Sequence, residues 1–218
     1  MDKTITQGNG LWVQVKERLF FVGSQINPLH FYGRAALYLF FFIWGWRFII
    51  MEYDVLVGGY PPISDSFMHD VNLVFHEAGH VIFWPFGRFM TVLGGTLNQW
   101  LIPFVVLYAF LLKTRDTFGA TIGLWWLGQS FMDAAPYIND ARAGRLILLG
   151  GTTGRDQPGY HDWENILGDL GWLEYDHAIA GMINAIGVIL MLLSFLWGAY
   201  VLYLQFKNLD RWHGVKWS

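Results

Sequence analysis

The sequence predicts an all-α membrane protein: a polytopic bundle of four to five membrane helices, one of them carrying the string HEAGH, with a further N-terminal helix lying in the membrane interface. Three observations lead there. Of 218 residues, 54% are hydrophobic and 18% aromatic while only 14% are charged, against about 25% charged in soluble domains. The apolar residues fall in runs near the roughly 20 residues that a helix needs to cross a bilayer. The charges are segregated as well. Lys and Arg dominate the N-terminal arm, the turn at 113–116 and the C-terminal tail, whereas segments 52–70 and 136–177 are rich in acids. The positive-inside tendency then puts both termini in the cytoplasm and the acidic segments on the far side of a multi-pass integral membrane protein. A net charge of −3 argues against a nucleic-acid partner, leaving membrane lipids, a membrane protein substrate or partner subunits as expected contacts.

Residues 1–30 read as an interfacial arm, because Leu11, Val15, Leu19 and Val22 share one helical stripe with Lys16 and Glu17 turned away. They lack the apolar core and small-residue cleavage site of a signal peptide. Residues 31–206 read as one multi-pass domain, with a basic tail at 207–218. The clearest span is Phe31–Met51, with Arg47 placed to snorkel. In the acidic stretch that follows, Ser64, Asp65 and Ser66 are possible caps for the HEAGH helix, which ends near Pro85–Gly87. Gly94–Gly95 reads as a break before an apolar helix at about 97–112, and the next helix covers about 117–135, with Gly119 and Gly123 spaced for close helix contact. A long Gly-rich acidic connection, 136–177, leads to a last span at 178–206 with Asp176 expected as its cap. The charge pattern requires one crossing between residues 51 and 113. Either the HEAGH helix or the 91–112 segment therefore does not fully cross.

The chemistry is concentrated at His76-Glu77-Ala78-Gly79-His80. Four residues advance a helix by about 40° of azimuth, so His76 and His80 lie on one face a turn apart with Glu77 beside them. Two neutral imidazoles so placed can share one Zn²⁺ at about 2.0–2.1 Å, and a third protein ligand leaves the fourth position open to water. The adjacent carboxylate can take a proton from the zinc-bound water, whose pKa the metal lowers to about 7. An ionisable group in an apolar membrane-type helix costs at least about 2.5 kcal/mol unless it is paired, metallated or solvated. Chance occurrence of the string is the bland alternative.

There is no cysteine, so the third ligand must be His, carboxylate or backbone oxygen. His161 and Asp140 are near parity for that place and Asp133 stands behind them. Asp162 reads as the cap of a short helix at Trp163–Leu170. Gly150–Arg155 lacks the Gly-Lys-Ser/Thr ending of a phosphate loop and reads as flexible connection. His30, His69, His177 and His213 read as interface residues. Asn98 and Gln99 either orient an extended substrate or bond across helices.

His76-Glu77-Ala78-Gly79-His80 in an apolar helix, then Leu93-Gly94-Gly95, then Pro136 and Asp140, resembles the site-2-protease-like intramembrane zinc metalloproteases. The resemblance implies zinc ligation by His76, His80 and Asp140, Glu77 as general base, and hydrolysis of a peptide bond of a membrane protein substrate. Asp140 is followed by Ala141 where that family has glycine. The contrasting expectation is a non-catalytic accessory subunit of a larger membrane complex, whose HEAGH holds a structural metal or makes buried hydrogen bonds.

Overall fold

The computed structural model describes residues 10–209, and the His213, Arg211 and Lys216 of the basic tail lie outside them. The described residues form seven α-helices and no strand: α1 (Leu11–Leu19), α2 (Pro28–Ile49), α3 (Phe67–Phe83), α4 (Arg88–Tyr108), α5 (Thr117–Asn139), α6 (Asp162–Leu170) and α7 (Asp176–Lys207). Two helical stretches are long and apolar enough to cross a membrane, Arg88–Thr114 and Leu173–Lys207. Helix α2, the clearest span by sequence, has the length at 22 residues but is not among these two. Its Tyr, Trp, His and Arg residues lower its mean hydropathy.

Local chemistry sets the ends of the helices. Asn27 caps α2 by accepting the N–H of Leu29, with Pro28 at the first position. Of the three expected caps for α3, Ser66 does the work, accepting the N–H of Met68. Gly94–Gly95 does not break the chain, and α4 runs through it from Arg88. The glycines serve a close approach instead: a side chain at Gly79 would run into the Gly94 carbonyl, and a Cβ at Gly94 would sit 2.8 Å from the Gly79 carbonyl oxygen. Asp176 is the first residue of α7 rather than its cap, and its carboxylate takes the Arg142 guanidinium at 2.6 Å.

Helices α5 and α7 pack antiparallel through a second glycine pair. A Cβ at Gly128 would lie 2.8 Å from the Gly187 carbonyl oxygen, and one at Gly187 would lie 2.7 Å from that of Gly128. Trp125 fills the space beside this seam and donates to the Phe41 carbonyl of α2. Outward faces stay apolar: Leu37, Phe40 and Ile43 on α2 and Ile189, Leu193 and Leu196 on α7 are exposed.

The connections collect at two ends of the bundle. At one, Asn208 donates to the Gly23 carbonyl, Thr117 to the Phe21 carbonyl, and Arg34 pairs with Asp116 at 3.1 Å. At the other, the Ile147 N–H bonds the Gly59 carbonyl, Arg88 pairs with Asp169 at 2.8 Å, and Arg142 holds Asp176. The loop before α3 and the first residue after it both belong to this second end. Both ends of helix α3 therefore join connections at this second end, and α3 packs against α4 and α5.

Replacing Gly187 by Val should wedge α5 from α7 and destabilise the bundle by about 1–3 kcal/mol. A lowered thermal midpoint in detergent would register it; an unchanged one would mean the seam is looser than the glycine contacts require.

Candidate metal site

Helix α3 points His76 and His80 at α4, and the missing side chain of Gly95 makes room for them. A Cβ at Gly95 would lie 2.6 Å from His76 Nε2 and 2.7 Å from His80 Nε2. The third group arrives from α6. Asp162 Oδ2 sits 2.9 Å from His76 Nε2 and 3.3 Å from His80 Nε2. One ligand atom from each of His76, His80 and Asp162 falls within 4.8 Å of the others, so the group could hold a metal ion.

The far nitrogens of both rings are also engaged. His76 Nδ1 lies 3.2 Å from Gln99 Oε1, and His80 Nδ1 lies 2.9 Å from the Thr91 carbonyl. The Gln99 amide cannot turn round, because its Nε2 donates to Asp133 Oδ2 at 3.0 Å and faces the Ser130 carbonyl. Each imidazole therefore meets an oxygen acceptor at both nitrogens. A neutral imidazole has one N–H and one lone pair. Without an ion, an Nε2 proton bridges each ring to Asp162; with an ion bound, the protons stay on Nδ1 and the two Nε2 lone pairs and the carboxylate face the cation together. Two histidines and a carboxylate are an accepted ligand set for catalytic zinc, and the outer bonds to Gln99 and Thr91 fix the tautomer that ligation needs. The residues present fit the ion.

Asp162 itself is held charged. Burial works against its carboxylate, but the hydrogen bonds from His76 and His80 outweigh it and bring the pKa down to about 2.

The places of the other candidates differ from expectation. The third position beside the two histidines, expected of Asp140 or His161, is taken by Asp162. His161 is the cap instead: its Nδ1 accepts the Glu164 N–H, and α6 begins at Asp162 rather than Trp163. Because Nδ1 is an acceptor, Nε2 carries the proton, and it faces Asp140 Oδ2 at 3.6 Å. Asp140 also accepts the backbone N–H groups of Arg145 and Leu146. Burial works against the Asp140 charge, yet the imidazole and these two N–H groups hold its carboxyl below the ordinary range. The pair thus acts on Asp162 through the chain, with His161 fully buried and its ring 4.3 Å from that of Tyr137. The Tyr137 hydroxyl accepts the Asp162 N–H at 2.8 Å.

Asp133 lies under the site rather than in it, receiving Asn72 and Gln99 amides and His69. Asn98 donates to the Phe75 carbonyl, so both amides bond across helices. His30 is exposed and His177 meets Asn139 on the surface, but His69, expected at the interface as well, is turned inward to Asp133. Glu77 projects from α3 into a cavity of about 740 Å³ that it shares with His76, His80 and Asp162. Residues 146–151, the loop that Asp140 anchors, form part of the opposite wall.

Sequence reading missed Asp162, Gln99 as a partner of His76, Thr91 and Tyr137. A carboxylate directly after His161 was the one visible signal. The Thr91 contribution is a backbone carbonyl and leaves no trace in residue type.

Elemental analysis of the detergent-purified chain should find about one metal per chain, lost in His76→Ala and Asp162→Ala. Asp140→Asn should keep the ligands but weaken affinity by about 10–100-fold, as loss of outer-sphere support does. Because Asp162 stays ionised to about pH 2, acid should release the metal through the two histidines alone. Affinity should therefore fall with pH while Asp162 is still ionised, because protons compete with the metal for the two imidazoles; an affinity that holds until the carboxylate itself is protonated would remove the histidines as ligands. Compared with known protein families, curated proteins and solved structures, the chain matches none of them.

Proposed function

We propose that the protein is a multi-pass, membrane-embedded zinc metallopeptidase that hydrolyses a peptide bond of a membrane protein substrate within or at the edge of the bilayer. The observation that carries this reading is the convergence of His76 Nε2, His80 Nε2 and Asp162 Oδ2, with both Nδ1 atoms already committed to Gln99 and Thr91. Zn²⁺ bound there supplies Lewis acidity, polarising a carbonyl and making water acidic near neutral pH. Glu77 stands next to His76, exposed to the cavity and free of hydrogen-bond partners among the described residues. Its part is to take the proton of the attacking water and pass it to the leaving amine. Gln99, Thr91, His161 and Tyr137 hold the ligands and take no part in proton transfer.

The setting supports a membrane-level site. The cavity is lined by α3 together with Tyr60, Pro61, Ser64, Asp65 and residues 146–151, all from the connections before α3 and after α5. The end of the bundle that gathers Phe21, Gly23, Thr117 and Asn208 is flanked by Lys16, Arg18, Lys113 and Lys207, and a cytoplasmic place for that end agrees with the positive-inside tendency. Apolar outward faces on α2 and α7 suit lipid or partner helices.

Zinc-loaded wild type and Glu77→Gln, each reconstituted in liposomes with the membrane proteins of the source cells, should be compared for new peptide termini by mass spectrometry. The wild type should generate termini that the variant does not, while both retain about one metal per chain. Equal termini from both would remove Glu77 as the base. A firmly bound metal with no cleavage by either would instead favour the non-catalytic accessory subunit.

A further inference from the structure

The cavity contains a third imidazole that the hydrolytic reading leaves unused. His69 precedes His76 by seven residues on α3, about two turns, so it lies on the same face about 10 Å further along the axis. It lines the same cavity as His76, His80 and Glu77. Its Nδ1 is 3.0 Å from Asp133 Oδ1, a carboxylate whose side chain is 4% exposed. That bond puts a proton on Nδ1 and fixes the ring. Nε2 has no protein partner among the described residues, and the side chain is 28% exposed.

Asp133 is not there for His69 alone. It also takes Gln99 Nε2, whose amide oxygen meets His76, and Asn72 Nδ2, which in turn bonds Gln129. One buried carboxylate therefore orients both a metal-site imidazole, through Gln99, and a second imidazole farther along the cavity. An imidazole backed by a buried carboxylate readily takes a second proton, which turns Nε2 into an N–H donor.

Asp65 and Asp70 line the cavity at this end, with no Lys or Arg among the lining residues. An anionic ligand group is disfavoured there. A neutral carbonyl oxygen is the acceptor that fits. An extended peptide rises about 3.3 Å per residue, so about 10 Å corresponds to three residues.

We propose that His69 forms a second binding subsite of the same cavity, donating from its cavity-facing ring nitrogen to a backbone carbonyl of an extended peptide about three residues from the metal-bound position. This rests on the metallopeptidase reading and names its substrate as an extended, unfolded stretch of chain. It also makes Asp133 the positioning residue that holds the two parts of the cavity in register.

The test uses the zinc-loaded full-length chain in detergent and a graded series of probes: acetohydroxamate, then N-acetyl-(Ala)n-hydroxamates with n from one to four. Affinity is read by calorimetry. The expected result is a step of about tenfold when the tail reaches three residues, the size of one hydrogen bond to a charged donor. His69→Asn keeps a nitrogen where Nδ1 meets Asp133 but has nothing at the Nε2 position. It should bind acetohydroxamate as the wild type does and lose the step. If His69→Asn binds neither probe, the decision passes to His69→Gln, which carries a donor near the Nε2 position: retention of the step supports the subsite and its absence overturns it. Acetohydroxamate binding with no step in the wild type, or an equal step in His69→Asn, overturns the subsite and leaves the metal reading intact. Failure of acetohydroxamate to bind the wild type overturns the metal reading and the subsite with it.

Discussion

The near-contact of two backbones, α3 and α4, is the constraint on which the rest depends. An imidazole on each of two successive turns reaches a common point only if the facing surface is bare, and Gly95 is the bare position. Gly79 and Gly94 bring the helices close enough that Gln99 and the Thr91 carbonyl, both on α4, sit behind the histidine rings. Small residues at helix contacts are the usual device in membranes, where apolar side chains gain little from leaving lipid for protein. Here the same device that packs the helices also sets the tautomers of the site.

Beneath that contact lies a polar network in an otherwise apolar bundle. Asp133 gathers Gln99, Asn72 and His69, and Asn72 passes the network on to Gln129 and Trp126. A buried carboxylate without partners is expensive, and one with three donors is tolerable because each donor offsets part of the lost hydration. Such a network is worth little as a source of stability compared with well-packed apolar side chains. Its value is geometric, since it admits few alternative arrangements of α3, α4 and α5.

The parts of the fold that follow periodicity were legible in the sequence, and so was the pairing of His76 with His80. HEAGH needs only helix geometry to bring His76 and His80 together, and that geometry is local. What was not legible depends on direction rather than spacing. Asp162 and His161 are neighbours, each able to cap a helix or face the site. The choice is made by Asp140 and Tyr137, more than twenty residues back along the chain, whose contacts fix which of the two faces His76 and His80. Gly94–Gly95 misled for a related reason: glycine marks both a break and a close approach, and residue type does not separate them.

The adjacency of cap and ligand in α6 joins two equilibria. His161 starts the helix and Asp162, the next residue, faces the histidines. Fraying of that single turn would withdraw the carboxylate, and an ion holding the carboxylate would oppose fraying. Order in the whole 140–170 connection and occupancy of the site are thus linked by mass action, so each tenfold excess of free metal over its dissociation constant adds about 1.4 kcal/mol to the closed state. On the proposed metal reading, the long connection would respond to metal supply, protected from exchange with solvent when the ion is plentiful and open to it when the ion is scarce.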